Sequence, residues 1–476
     1  MRVARIASVP AGFFCLLWAA PIHAACSGSG TSWSCPAGST TSDVNSAIST
    51  ASDGATITFA NGSYTWSSTI PFSLSKGVTL ICANGATCSV SSSGTVFAFP
   101  TGSSAKLYRI SGFAFSTSGG FGPVWTCPSG GCVGTISQFR IDHNSFTGPG
   151  ASYFIVTGEN ASRQYIYGVV DHNTFTSSGS IEAMYNLGGH DSSPPANPQG
   201  TANNMFFEDN TLTVTTMTDA GLGATDGWGA GSALVIRHNT FTNALVTAHA
   251  QETGSAGDSG SGGFQNWEIY NNHVIATSGS TYPDGYRLIH HQGSHLEMFF
   301  NNTFTPQSEP LNGSALSITA NYIDTTCNSY PCSLAPGRDP ATNALYPVYS
   351  WNNRDTDNGN NVSGVAEAST TYFAPNRDYF TEAIPFTGAT GVGFGTLANR
   401  PTTCSTGGTQ AGDAGHGGVG YFATDVGLQG TLYHCTATNT WAVEYTPYTY
   451  PHPLVTGGVS SDPPPLPPTS LTLTVR

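Results

Sequence analysis

The chain has 476 residues, a formal net charge of −14 and a charged fraction of only 9%. The sequence offers no basic patch that would neutralise phosphates, which argues against nucleic acid as a partner. Low charge together with an aromatic fraction of 11% is also unlike an intrinsically disordered chain. The composition therefore predicts a folded protein that does not bind nucleic acid.

The N-terminus has the pattern of a secretory signal peptide. Two arginines near the start, an apolar stretch over 13–20, and the small residues Ala24 and Ala25 follow one another. The apolar stretch is too short to span a bilayer, which argues against a transmembrane anchor. We therefore exclude residues 1–25 from the fold. We expect a secreted or periplasmic protein that has no membrane contact once the leader is removed.

Cysteine usage agrees with an oxidising compartment. The chain has eleven cysteines, of which Cys15 lies in the predicted leader, so ten remain. They fall in five close pairs: Cys26 and Cys35, Cys82 and Cys88, Cys127 and Cys132, Cys327 and Cys332, and Cys404 and Cys435. Zinc binding is the rival interpretation, but no CxxC spacing occurs. We therefore predict five local disulfides.

The first segments after the leader predict a capping helix followed by short strands. Residues 43–51 place small and apolar side chains on one face of a helix, with Asp43 or Ser42 as its N-cap. The following strands are predicted at 56–59, 64–66, 78–81 and 95–99.

An Asn-centred pattern then recurs six times along the chain. Each copy has an apolar strand, an Asn, a small polar residue and a large apolar residue, although the last two copies are looser. The Asn positions are 144, 173, 210, 239, 272 and 302, so the steps run from 29 to 37 residues. Self-similarity at this period indicates a repeat architecture in which neighbouring repeats bury a shared core.

The capping helix, the segment GATITFANGSYTW and the Asn-bearing repeats resemble pectate-lyase-like proteins, which are right-handed parallel β-helices. The resemblance covers about residues 40–325. It implies three short strands in each coil and a ladder of stacked Asn side chains at one turn. Such a stack is physically reasonable because buried amides satisfy one another's hydrogen bonds coil upon coil. The predicted fold is all-β, a right-handed parallel β-helix over 26–353 with an N-terminal capping helix.

Beyond the repeats the sequence is irregular and rich in glycine. Residues 348–353 predict a last coil, and 420–441 predict a small hairpin unit held by a disulfide. We expect residues 354–456 to pack along the outside of the β-helix. The Pro-rich residues 457–476 are interpreted as a tail.

The resemblance places the substrate groove along the first strand of each coil. Aligning these strands by their apolar pattern predicts a column of Asn186, Asp226, His249 and His291, about 4.8 Å apart from coil to coil. An acid and two imidazoles in one column can transfer protons at a sugar carbon or a glycosidic oxygen. They can also hold a metal, and the plainest alternative is a solvated strand. The column depends on the register, since a slip by one residue turns every side chain over.

A second column lies two residues before each ladder Asn. Its members are Asp142, Asp171, Glu208, Arg237, Tyr270 and Phe300. Glu208 and Arg237 are predicted to form an ion pair. Asp142 beside Asp171 indicates a bound cation or raised pKa values, or else a solvated acidic stripe, which we favour. The neighbouring His143, His172 and His238 are interpreted as structural.

The sequence thus predicts a polysaccharide lyase that cleaves a uronic-acid-containing glycan by β-elimination. The predicted catalytic residues are Asp226, His249, His291, Arg287, Arg237 and Glu208, and the predicted substrate contacts are Glu182, Asn186, Trp228, Glu252 and His290. The alternatives are a glycoside hydrolase, in which Asp226 pairs with Glu182, Glu252 or Glu208, and a non-catalytic glycan-binding adhesin. No cofactor is assigned, although Ca²⁺ would offset the negative net charge toward a polyanionic glycan, and we expect a monomer.

Overall fold

A computed structural model describes most of the chain after the predicted leader. The described residues are 25–92, 97–118, 120–128, 131–149, 152–158, 163–179, 181–187, 198–215, 225–228, 232–244, 246–248, 265–277, 289–291, 296–305, 316–318, 337, 344–366, 373–407 and 417–457. Within these ranges, no helix has both the length and the apolar character needed to cross a membrane.

The N-terminal end is closed by helix α1 (Thr41–Thr50), as predicted. Its N-cap is Thr40, two and three positions before the predicted caps Ser42 and Asp43. The Thr40 hydroxyl accepts a hydrogen bond from the Asp43 amide, while the Asp43 carboxylate accepts one from the Thr40 amide. This capping box satisfies two amides that the helix leaves unpaired. The apolar side of α1 closes the end of the core.

Four sheets run along the axis of the solenoid, and in each sheet the strands of successive coils pair with one another. Sheet 1 contains β1 (Ser27–Ser29), β2 (Ser32–Cys35), β3 (Ala55–Phe59), β6 (Val78–Cys82), β9 (Tyr108–Ser111), β12 (Val133–Asp142), β15 (Arg163–Asp171), β18 (Met205–Glu208), β21 (Ala233–Arg237), β24 (Asn266–Tyr270), β27 (Leu296–Phe300), β30 (Val348–Trp351) and β33 (Tyr379–Thr381). Sheet 2 contains β4 (Gly62–Trp66), β7 (Cys88–Ser92), β10 (Phe113–Thr117), β13 (Ser145–Gly148), β16 (Thr174–Ser177), β19 (Thr211–Val214), β22 (Thr240–Thr242), β25 (His273–Ile275), β28 (Thr303–Thr305) and β31 (Arg354–Asp355).

The remaining side of the solenoid carries two shorter sheets. Sheet 3 contains β5 (Ile70–Pro71), β8 (Phe97–Ala98), β11 (Gly120–Trp125), β14 (Ser152–Gly158), β17 (Ile181–Leu187) and β20 (Thr225–Trp228). Sheet 4 contains β23 (Val246–Ala248), β26 (Ile289–His291), β29 (Leu316–Ile318) and β32 (Val365–Ala366). Apart from the hairpin of β1 and β2, the strands of these four sheets pair in parallel, so the predicted parallel β-helix is confirmed.

The predicted Asn ladder is confirmed and extends by one coil to Asn353. The Oδ1 atom of Asn173 accepts hydrogen bonds from the amide of Asn144 at 2.9 Å and from its Nδ2 atom at 3.0 Å. The same pair of bonds repeats upward until Asn302 donates to Asn353. The residue before each ladder Asn has a φ between 51° and 57°, in the left-handed region. This turn fixes the register of sheets 1 and 2 together.

A fifth sheet and a C-terminal strap complete the fold. Sheet 5 contains β34 (Val392–Gly395), β35 (Gly420–Ala423), β36 (Thr431–Ala437) and β37 (Thr440–Tyr445), with a 3₁₀ turn over Leu397–Asn399. The strap, residues 445–457, ends in the short helix α2 (Pro453–Gly457). Together they cover the outer face of sheet 1 over its later coils, where Val169, Phe206 and Phe300 join an apolar cluster with Phe422, whereas β3 and β6 keep alternate accessible positions.

Four of the five predicted disulfides are present. They join Cys26 to Cys35, Cys82 to Cys88, Cys127 to Cys132, and Cys404 to Cys435. The predicted pair of Cys327 and Cys332 lies outside the described residues. The four bridges fit an oxidising compartment.

Candidate functional site

The strands that were predicted to line the groove form sheets 3 and 4. Their register differs from the predicted alignment. Asp226 lies opposite Tyr185, and Asn186 lies opposite Gly227, so Asn186 and Asp226 are one residue out of line. His291 lies opposite Ala248 and not opposite position 249. The predicted column is therefore wrong in its register, because the glycine-rich sequence around position 226 has no apolar alternation to fix the alignment.

Part of the predicted site is placed by its backbone alone. Glu182 and Asn186 lie in β17, Asp226 and Trp228 in β20, and His290 and His291 in β26. The side chains of these six residues, and all of His249, Glu252 and Arg287, lie outside the described part of the structure. The structure thus pairs β17 with β20 and β23 with β26, but β20 and β23 belong to different sheets, and the roles of these residues stay predictions.

Chain length is unevenly distributed around the solenoid. From β12 onward, each sheet 1 strand is joined to the next sheet 2 strand by only two residues, the left-handed residue and its ladder Asn. The connections that flank sheets 3 and 4 are much longer and include 188–204, 249–265, 276–288 and 319–347. Long connections on a rigid scaffold are where binding and catalytic residues concentrate. This favours sheets 3 and 4 as the substrate side.

The predicted ion pair of Glu208 and Arg237 is confirmed, but it is not exposed to substrate. Both residues are fully buried, with Arg237 Nη2 and Glu208 Oε2 2.6 Å apart. Arg237 also donates to the carbonyls of Tyr448 and Thr449 at 2.7 and 2.9 Å, and Glu208 accepts from the His452 amide at 2.8 Å. A polymer cannot reach these groups, so the prediction that they act on substrate is corrected. They hold the strap.

The predicted acidic stripe of Asp142 and Asp171 is not solvated. Both carboxylates are fully buried. Arg109 Nε donates to Asp142 at 2.7 Å, and Arg140 binds Asp171 through Nε at 2.9 Å and Nη2 at 2.8 Å. Burial opposes ionisation of Asp142, but the hydrogen bonds from Arg109 and His143 hold its pKa below the ordinary value. The prediction of a solvated stripe or raised pKa values is therefore wrong for Asp142, because an arginine on the preceding coil pairs with each carboxylate.

Two Asp–His pairs stand at the corner between sheets 1 and 2. His143 Nδ1 lies 2.8 Å from Asp142 Oδ2, and His172 Nδ1 lies 2.9 Å from Asp171 Oδ2. The two imidazole rings are stacked, with centroids 5.1 Å apart and planes inclined by 5°. Their side chains are 43% and 20% exposed, while both carboxylates are 0% exposed. The hydrogen bond with Asp171 is the main cause that raises the pKa of His172.

The next two coils carry the same turn but are covered by the strap. Asp209 takes the place of the histidine in one of them and accepts a hydrogen bond from the Tyr450 hydroxyl at 2.8 Å. In the following coil His238 stacks on the Tyr450 ring, with centroids 3.7 Å apart. Burial, and then the charge of Arg237, lowers the pKa of His238 to about 3. A structural role therefore suits His238, which the strap covers. His143 and His172 are partly exposed to solvent, so a structural role does not account for them in the same way. The sequence signal for the pair of His143 and His172 was the repeated Asp-His before a ladder Asn.

The outer face of sheet 2 carries two columns of hydroxyl side chains. One column contains Ser63, Ser89, Ser145, Thr174, Thr211, Thr240 and Thr303, and the other contains Thr65, Ser91, Ser116, Thr147, Thr176, Thr213, Thr242 and Thr305. Ala114, His273 and Ile275 interrupt them. The described pairings from β4 to β31 contain no register shift, so the hydroxyls repeat at the coil spacing of about 4.8 Å.

Among the described residues, no group of three or more His, Cys, Asp or Glu side chains is arranged to hold a metal ion. Comparison with known proteins found no matching family model, no matching curated protein and no matching solved structure. The fold assignment therefore stands on the strand pairing itself, and function has to be argued from the surfaces.

Proposed function

We propose that this protein is a polysaccharide lyase that acts outside the cytoplasm and holds a uronic-acid-containing glycan across sheets 3 and 4. The observation that supports it is the uneven distribution of chain length. From β12 onward sheets 1 and 2 are joined by two-residue turns, the outer face of sheet 1 is covered over its later coils, and the long connections flank sheets 3 and 4. A parallel β-helix offers these strands as a flat, rigid floor.

The strands of this floor carry residue types that suit proton transfer on a sugar. Asp226 and Trp228 lie in β20, and His290 and His291 lie in β26. In this proposal an imidazole removes the proton from the sugar carbon beside the carboxylate, the C–O bond to the leaving sugar breaks, and the leaving oxygen takes a proton. Trp228 offers a face for sugar stacking. The leader and the four disulfides support an extracytoplasmic site of action.

The test is cleavage of a panel of polyuronates followed by ultraviolet absorbance of the unsaturated product. We expect the wild-type protein to generate absorbance, and His291→Ala and Asp226→Asn to lower the rate by about 10²–10⁴-fold, the usual contribution of a general acid or base. Asp357→Asn, at an exposed turn, is the matched control and should keep full activity. Absence of product on every polyuronate overturns the proposal. New reducing ends without absorbance would instead favour a hydrolase that pairs Asp226 with Glu182 or Glu252.

A second candidate function is non-catalytic binding of an ordered glycan by sheet 2. The regular, uncharged hydroxyl columns favour it, because a rigid periodic surface can meet a periodic polymer with little loss of side-chain entropy. Co-sedimentation with insoluble polysaccharides tests it. Thr211→Lys places a charge in the middle of the array and should reduce the bound fraction, whereas Thr438→Lys makes the same change in the exposed turn between β36 and β37 and should not. Equal binding by both variants would contradict a role for the hydroxyl columns of sheet 2 in glycan binding.

A further inference from the structure

The turn that carries the stacked pair of His143 and His172 does not require histidine. The turn demands a left-handed residue, and other coils meet that demand with Gly112, Asn271 or Asn301. Non-glycine residues reach this conformation at some cost, and asparagine reaches it more readily than most side chains. Histidine in two adjacent coils, each beside a buried aspartate, therefore adds something that the turn itself does not need.

The imidazoles are held with one nitrogen fixed and the other edge accessible. Each Nδ1 is bound to its aspartate, which leaves Nε2 as the nitrogen that the aspartate does not engage, on side chains that are 43% and 20% exposed. The stacking of the two rings aligns them along the solenoid axis, one coil apart. Two donors one coil apart suit a linear polymer that carries a charged group on every sugar. An isolated imidazole would have no such preference.

The charges around the pair decide what it attracts. Arg109 and Arg140 already neutralise Asp142 and Asp171 within the cluster. A proton on either imidazole therefore adds positive charge at the surface, except that Asp209, one coil further on, partly offsets it beside His172. The Tyr450 hydroxyl donates a hydrogen bond to the Asp209 carboxylate, and the nearby Arg237 is paired with Glu208. The surface therefore becomes locally cationic when the imidazoles are protonated, on a chain whose net charge is −14.

We propose that His143 and His172 form a binding site for the carboxylate groups of an acidic glycan, which engages when the imidazoles are protonated. The site shares its ligand class with the proposed lyase activity and rests on it only for that choice of glycan. It lies on a different surface, at the corner of sheets 1 and 2. An acidic protein repels a polyanion. Protonated imidazoles reduce that repulsion because they place positive charge at the binding surface itself.

The expected pH dependence follows from the carboxylate of Asp171 behind the His172 ring. Asp171 favours the charged form of His172, so its pKa lies above the ordinary value. Protonation is thus complete at mildly acidic pH and is lost as pH rises through that raised pKa. Binding of a carboxylate should therefore strengthen toward acid and weaken toward alkali, as long as the carboxylates of the glycan stay ionised.

The experiment measures oligogalacturonate affinity by calorimetry at about pH 5.5 and about pH 8, on either side of the imidazole titration. For the wild-type protein we expect affinity to be about fivefold or more higher at the lower pH, and to fall with added salt, as for exposed ion pairs. The double variant His143→Asn, His172→Asn keeps a residue that the turn accepts and should lose this pH dependence. His273→Gln changes a half-buried histidine on sheet 2 and should retain it.

Two further readouts separate a binding role from a structural one. Saturating oligogalacturonate should raise the pKa of His172 in a nuclear magnetic resonance titration, because ligand and proton binding are linked. A neutral oligosaccharide of the same length should not. Wild-type affinity that is equal at both pH values, or a double variant that binds like wild type, overturns the proposal. Binding without cleavage overturns the lyase alone, and cleavage with unchanged affinity in the variant overturns this site alone.

Discussion

The outer faces of sheet 1 and sheet 2 differ in burial, although the same repeat builds both. Every residue of β21, β24 and β27 in sheet 1 is buried, whereas β16 and β19 in sheet 2 alternate between buried and accessible positions. From β12 onward the two sheets meet at a two-residue turn in each coil. The repeat therefore determines where the strands lie, and the covering segment determines which face becomes interior.

Burial changes what the same residue types do. On sheet 1, charged side chains such as Arg237 and Glu208 are held in pairs beneath the strap. On sheet 2, hydroxyl side chains face solvent and make few contacts between coils, such as Thr305 to Thr356 at 2.8 Å. Charges under the strap hold the fold together, while hydroxyls on the open face are available to a ligand.

The largest expected effect comes from breaking a buried pair on the covered face. Arg237→Met leaves Glu208 buried without its partner and removes two hydrogen bonds to strap carbonyls. We expect a loss of about 3–5 kcal/mol in the free energy of unfolding, the usual cost of an uncompensated buried charge. Urea denaturation measures it. Adding Glu208→Gln should recover part of the loss, and a single variant as stable as wild type would show that the pair does not hold the strap.

The pH dependence of the free energy of unfolding tests the same buried pair, with a smaller expected effect. Burial raises the pKa of Glu208 to about 7, although Arg237 and the His452 amide oppose the shift. A raised carboxyl pKa means that the folded state keeps a proton which the unfolded state has released. This contribution to stability is complete below the unfolded value of 4.5 and is lost as pH rises to about 7. We expect a fall of about 3 kcal/mol over this range.

The measurement is the free energy of unfolding of wild type and Glu208→Gln across that range. The variant cannot titrate at this position, so its curve should be flatter by about the same amount. Parallel curves would mean that Glu208 does not titrate there.

The smallest effect is expected on the open face. Thr211→Val removes an exposed hydroxyl from sheet 2 but keeps the shape and the β-branched preference for a strand. The free energy of unfolding should change by no more than about 0.5 kcal/mol, as for most surface substitutions. A loss as large as that of Arg237→Met would show that the hydroxyl columns are structural and would end the contrast between the two faces.

The sequence predicted the ladder well because each Asn carries its own local signal. Asn144 and its five predicted successors are preceded by a strand and followed by a large apolar residue, and a buried amide has one arrangement that satisfies it. Register in sheets 1 and 2 follows from the ladder, which is why Glu208 and Arg237 were correctly paired. The strands of sheets 3 and 4 follow connections of variable length, so nothing local fixes Asp226 or His291, and their predicted alignment was off by one residue.

The sequence alone thus determined the repeat, the parallel β-helix, the ladder and the local disulfides, since each depends on residues that are close in the chain or one coil apart. Only the tertiary structure decided which charges are buried and which are open. The contacts that decide it join residues 211 to 314 positions apart, such as Arg237 with Tyr448 and Arg140 with Leu454. The periodic pattern of the sequence does not predict such long-range contacts. That is why the acidic column was predicted to be solvated, and why the open His143 and His172 became distinguishable from the covered His238 only in the folded protein.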